Sequence, residues 1–116
     1  MNVVDSSGWI EYFQESQRGE LFAGAIENVG ELIVPTISVF EVIKIFEVNM
    51  AASNILERIP DAMSRGRLEP LAFELAVSAA KLSVAHRLPL ADSIILATAR
   101  QYNATLWTQD AHFAGL

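Results

Sequence analysis

Residues 88–116 read LPLADSIILATARQYNATLWTQDAHFAGL. Ile94, Ile95, Ala97, Thr98 and Ala99 recur at helical spacing, which predicts a helix over Ala91–Tyr102 that opens beside Asp92. Tyr102-Asn103 breaks it. Thr105–Thr108 is then a short apolar run that leads directly into Asp110. It is too apolar for an edge in water, so the expectation is a buried strand that delivers a carboxylate to a site.

The same alternation of short apolar runs and helices extends back to the N-terminus. Val3 and Val4 form a first strand that ends on Asp5, and Ser6, Ser7 and Gly8 read as a turn. Trp9, Ile10, Tyr12 and Phe13 then repeat as a short helix, and Glu20–Val29 as another that Gly30 stops. Leu32–Val34 is a second buried strand closed by Pro35. The next helix is expected from Ser38 or Val39 to about Met50, and another over Ala52–Met63, which Pro60 should kink or end. Arg65-Gly66-Arg67 reads as a loop. Leu68–Leu71 is a weak strand that Pro70 confines to an edge. Ala72–Ala85 is a helix that ends at His86, Arg87 and Pro89. Strands alternating with helices predict an α/β fold with a mostly parallel sheet.

The 116 residues are one domain's worth, and a 52% hydrophobic content allows a real core. The mean hydropathy of +0.30 is high for so small a chain, so some apolar surface is expected to meet a partner. No run is long and charge-free enough to span a membrane, and the N-terminus lacks the pattern of a signal peptide. Cysteine is absent, which removes disulfide and thiol chemistry and is compatible with a cytoplasmic location. The net charge of −6 argues against a simple nucleic-acid-binding module. It argues less against a metal-dependent enzyme, whose cation offsets the acids it sits among.

Ligands of an open parallel sheet sit beyond the carboxyl ends of the strands. Asp5 ends the first strand and Asp110 follows the last. Glu41 lies early in the helix after the second strand, and Asp92 in the first turn of a helix that starts on the same side. All four acids can therefore face one crevice. Such a cluster repels itself. A hard cation, Mg²⁺ or Mn²⁺, is its natural compensation and could activate a water and orient a phosphodiester. There is no glycine-rich phosphate loop and no zinc-ligand spacing.

The stretches VVDSSGWIEYF, PTISVFEVIK, LPLADSIILATA and ATLWTQDAHF resemble, in order and spacing, the four acidic motifs of the PIN-domain family. The branch they are most similar to is the VapC-type toxins of bacterial and archaeal toxin–antitoxin pairs. The resemblance implies a single PIN-like domain over residues 1–116 and a three-layer α/β/α fold with a small central sheet; family members usually continue into a last short strand where this sequence stops at Leu116, which makes it either a short version or one that lacks that strand. It implies a Mg²⁺- or Mn²⁺-dependent endoribonuclease with Asp5, Glu41, Asp92 and Asp110 as catalytic and metal-holding residues. Ser6, Ser7 and Thr108 fall on the small hydroxyl positions that support them. The implied products carry a 5′-phosphate and a 3′-hydroxyl. The implied partners are an RNA substrate and a small antitoxin whose C-terminal segment blocks the groove. A homodimer through the early helices and no membrane complete the expectation. Some relatives carry a further acid where this chain has His112.

Each acid has a plainer reading. Asp5 could cap the following helix, Asp92 could answer a helix dipole, and Asp110 could cap a turn. Ser38 and Glu41 have capping-box spacing, and a Glu41 folded back on its own helix cannot reach a metal. His112 reads as a turn residue rather than a general base, and Trp9, Tyr12 and Phe13 as core or interface. Lys44 could pair with Glu41 or approach RNA, and Arg65 and Arg67 form a solvated loop or grip phosphate. A non-catalytic PIN-like module that holds RNA or protein is the alternative function. A haloacid-dehalogenase-type phosphatase needs a second Asp two residues after the first, where Ser7 stands, and a receiver needs paired acids at the first strand.

Overall fold

A computed structural model describes residues Met1–Leu116. Four strands form one sheet in the order β3-β2-β1-β4: β1 (Asn2–Val4), β2 (Leu32–Pro35), β3 (Arg67–Glu69) and β4 (Thr105–Trp107). Every pairing is parallel, with Val3 opposite Ile33 and Leu106, and Val34 opposite Leu68. Six helices connect them: α1 (Ser6–Phe13), α2 (Gly19–Glu27), α3 (Thr36–Val48), α4 (Ser53–Met63), α5 (Phe73–His86) and α6 (Leu90–Gln101).

The side-chain alternation of β1 and β2 builds the layers. Val4, Leu32 and Val34 point to one face, where Trp9, Phe13, Phe22, Ile26, Val42, Phe46, Ile59 and Met63 from α1–α4 pack on them. Val3 and Ile33 point to the other, against Leu88, Ile95, Leu96 and Ala99. The chain is thus α/β/α, as expected. It steps from β1 to β2 to β3 in one direction, then crosses back to place β4 on the far side of β1. The carboxyl ends of β1 and β4 therefore flank the topological switch point, where open α/β sheets form their crevice.

Several expectations need correction. β4 is an edge strand, not a buried one: Thr105 and Trp107 are exposed and only Leu106 is partly covered. Apolar content reports burial of a face, not the place of a strand in the order. Ser6, Ser7 and Gly8 are the first turn of α1 rather than a separate turn ahead of it, because the Asp5 side chain accepts from the Gly8 N–H and caps the helix there. Gly8 lies against Phe22 and Val4, each with a carbon 2.7 Å from where a Cβ would stand. α3 begins at Thr36, two or three residues before the expected start, with Pro35 in the capping position. α4 runs through Pro60 to Met63. Ile59 and Met63 flank the proline, both fully buried, and their burial outweighs one forfeited backbone hydrogen bond.

Candidate metal centre

Asp5 is 2% exposed and its carboxylate is the most tightly held of the four. Oδ1 accepts from the Ser7 hydroxyl at 2.8 Å and from the Gly8 N–H at 3.0 Å. Oδ2 accepts from the Thr108 hydroxyl at 2.6 Å, across the switch point. The Asp5 N–H in turn donates to the Trp107 carbonyl at 3.0 Å. Thr108 also accepts from the Asp110 N–H at 2.8 Å, so one hydroxyl ties the first acid of the chain to the backbone of the last.

Asp110 caps the short 3-10 turn Ala111–Phe113, with Oδ1 accepting the His112 N–H at 2.9 Å. Phe113 anchors that turn in the core. The turn swings the His112 ring between two carboxylates. Its Nδ1 lies 2.8 Å from Asp92 Oδ2 and 3.2 Å from Asp110 Oδ1. Asp92 occupies the first turn of α6, with a side chain 16% exposed. Burial raises its pKa above the ordinary carboxylate value, and the negative charges of Asp110 and Asp5 add to that; the hydrogen bond from His112 opposes it. The His112 imidazolium is stabilised above its usual range, first by the hydrogen bond to Asp92 and then by the charge of Asp110.

Glu41 does not fold back on its helix. Its Oε1 accepts from the Ser6 hydroxyl at 2.6 Å, which links α3 to the start of α1 beside Asp5. Ser38 lies inside the first turn of α3 rather than at its cap, and its buried hydroxyl has no partner. The capping box is therefore not formed. Lys44 makes no ion pair with Glu41; it lies over the Phe40 ring at 5.7 Å and lines with Glu41 a shallow cleft of about 270 Å³. Arg65 is paired with Asp61, and Arg67 stacks on Tyr102.

The structure thus assembles Asp92, Asp110 and His112 most closely, with one ligand atom from each within 4.8 Å of the others. Asp5 is joined through Thr108, and Glu41 through Ser6 on its other flank. These two acids lie outside the tightest group. All the supporting hydroxyls expected from the sequence bear on an acid: Ser6 on Glu41, Ser7 and Thr108 on Asp5. The sequence missed the role of His112. The turn placement was right, but the pairing with Asp92 spans twenty positions and depends on where that turn aims the ring. The donor set suits a divalent cation: close carboxylates in a partly desolvated crevice, whose mutual repulsion already burdens Asp92.

A family model for the PIN domain matches residues 3–116. A chain from a toxin–antitoxin complex of Klebsiella pneumoniae is similar in structure, with a TM-score of 0.83 at 21% identity, covering 100% of this chain and 92% of that one. VapC20 of Mycobacterium tuberculosis, a toxin that cleaves the sarcin–ricin loop, has a TM-score of 0.78 at 14% identity, over 96% of this chain and 91% of its own. No curated protein matches the chain. At these identities the structural likeness establishes the fold.

Proposed function

The chain belongs to the PIN-domain family, and from that premise we propose that it is a Mg²⁺- or Mn²⁺-dependent endoribonuclease, the toxin of a toxin–antitoxin pair. The observation that carries the reading is the Thr108 hydroxyl, which joins Asp5 and Asp110 across the switch point while His112 joins Asp110 to Asp92. Structural packing alone gives no reason to gather these acids at the crevice.

Asp5, Asp92 and Asp110, with Glu41 at their flank, would hold a divalent cation, which would supply positive charge at the phosphodiester and lower the pKa of a water. The chain's own groups do the rest. Asp5 is fixed by three donors and sets the position of the site without side-chain freedom to lose. Ser6 orients Glu41 through Oε1 and leaves Oε2 without a protein partner, free to accept a proton. Lys44 shares the Glu41 cleft, and Arg18 donates to Gln109, the residue before Asp110. Neither forms a salt bridge, so both can meet RNA phosphates.

The similarity to a chain from a toxin–antitoxin complex supports a small antitoxin as partner. So does the apolar surface beside Glu41, where Phe40, Ile45, Val48 and Met50 are exposed. A homodimer finds more apolar surface on α3 and α5, where Phe73, Val77 and Val84 are also open, than on α1 and α2. No helix is long and apolar enough to cross a membrane.

The test is an RNA-cleavage assay with Mg²⁺ or Mn²⁺, comparing the natural chain with Asp5→Asn and Asp92→Asn. Both variants should lose cleavage by a factor of 100 or more, on the order of removing one electrostatic stabiliser. Equal cleavage by all three overturns the reading. Binding of RNA and metal by the natural chain with no cleavage favours the non-catalytic module.

A further inference from the structure

The geometry points to His112 as a direct nitrogen ligand of the cation, which makes this site favour Mn²⁺ over Mg²⁺. The inference rests on the reading of the Asp92–Asp110 crevice as the cation site and concerns which ion it selects.

Three observations meet on the ring. The first is spacing. Neighbouring ligands of an octahedral ion with bonds of about 2.1 Å stand about 3.0 Å apart. His112 Nδ1 is 2.8 Å from Asp92 Oδ2 and 3.2 Å from Asp110 Oδ1, which brackets that edge length on both sides. The second is presentation. The ring is carried by a turn fixed at both ends: the His112 N–H donates to Asp110 Oδ1, the Phe113 N–H to the Asp110 carbonyl, and Phe113 is buried. The nitrogen is delivered by backbone geometry and not by a long flexible arm. The third is that its only hydrogen-bond partners are the two carboxylates, so a cation between them need displace only the Nδ1 proton. The His112 side chain is 55% exposed, so solvent and an ion can reach it.

The chemistry then decides the preference. Mg²⁺ binds through oxygen and holds its waters tightly, and it gains little from an imidazole. Affinity at a mixed nitrogen and oxygen site rises along the first-row divalent ions, and nitrogen donors widen the gap from Mg²⁺. Asp92, Asp110 and His112 would offer two oxygens and one nitrogen to the ion, beside Asp5.

Mn²⁺ alone is the probe, titrated into metal-free full-length protein and followed by electron paramagnetic resonance of free and bound ion, with Mg²⁺ as competitor. The natural chain should bind Mn²⁺ with a nitrogen hyperfine coupling in the bound spectrum. His112→Gln should lose that coupling, and its preference for Mn²⁺ over Mg²⁺ should fall by about tenfold or more, since loss of even an outer hydrogen-bonding partner costs about 10–100-fold in affinity. An exposed turn residue can be changed without loss of fold, and His86→Gln, on the end of α5, serves as the control that should keep both properties. Bound Mn²⁺ with no nitrogen coupling and an unchanged preference in His112→Gln overturns the inference and leaves the cation site standing. Failure of the natural chain to bind Mn²⁺, or binding undiminished in Asp92→Asn, overturns the site itself.

Discussion

Replacing Asp92 by Asn should make the metal-free protein more stable while removing its ability to be stabilised by metal. Asp92 carries a raised pKa because burial and the charges of Asp110 and Asp5 disfavour its ionised form. The linkage runs one way. Between the ordinary value of 3.8 and the raised value, the folded chain holds more protons than the unfolded one, so stability falls as pH rises through that window. Above it the cost of the charge is complete. Its size follows from the spacing. Ligand atoms of Asp92 and Asp110 lie within 4.8 Å. Two unit charges at that distance repel by about 1 kcal/mol in bulk water and about 3 kcal/mol at an effective dielectric of about 20. The crevice is half open and His112 offsets part of the repulsion, so the low end applies. About 1 kcal/mol in a domain of this size raises Tm by roughly 3–6 °C. Asn still offers an oxygen to the His112 N–H, so that contact survives. Thermal unfolding followed by circular dichroism at neutral pH with a chelator should show Asp92→Asn melting above the natural chain, and the gap should close as the pH falls toward 4. With Mn²⁺ at about a hundred times its Kd, the natural chain gains about 2.7 kcal/mol and the order reverses. A chelated Asp92→Asn that melts at or below the natural chain refutes the argument that these acids strain one another.

Thr108→Val should destabilise the fold by about 1–3 kcal/mol in urea unfolding, because it leaves the Asp110 N–H without its acceptor and takes one donor from the buried Asp5. The same variant should bind Mn²⁺ more weakly. Ser38→Ala should cost nothing and can stabilise, since the serine hydroxyl is buried and unpaired; a loss near 1 kcal/mol, the usual price of a deleted cap, counts against the structure here. Gly8→Ala should cost about 1–3 kcal/mol in the same unfolding assay, as its methyl group meets Val4 and Phe22 at 2.7 Å. Lys44→Gln should weaken RNA binding evenly across sequences and lower the slope of log affinity against log salt by about 1, measured by filter binding on a cleavage-deficient background.

Much of this arrangement is readable in the chain because two periodicities carry it. Buried residues from Ser93 to Ala99 mark α6, and the short runs at Val3-Val4 and Leu32–Val34 mark the central strands. Acids that follow such strands declare themselves because an aspartate there is costly without a role. The strand order is less legible. Leu106 and Trp107 are as apolar as a central strand requires, yet β4 pairs on one side only, and composition does not encode which edge a strand takes. Helix starts differ from the periodicity where the residue before the helix decides: the Asp5 side chain draws Ser6–Gly8 into α1, and α3 begins at Thr36, directly after Pro35. His112 was missed for a further reason. Its importance lies in a 2.8 Å contact to a residue on another element, and no local pattern records that.

The plainer readings of the acids posed capping and metal binding as rivals, and the geometry shows that a cap does not use up a carboxylate. Asp5 caps α1 with Oδ1 and gives Oδ2 to Thr108. Asp110 caps its turn with Oδ1 and keeps Oδ2 without a hydrogen-bond partner. A carboxylate has about four acceptor positions, so one capping bond fixes the rotamer and leaves acceptor capacity unused. Capping here is a means of holding a charged group still in a place where it repels its neighbours. For Glu41 a local cap is different, because an arm folded back on Ser38 would point away from the crevice. There the structure replaces the cap with a bond from Ser6, which belongs to the neighbouring helix and sits one residue beyond Asp5. Glu41 is thus held from a second helix and not by its own, which turns it toward Ser6 and the start of α1.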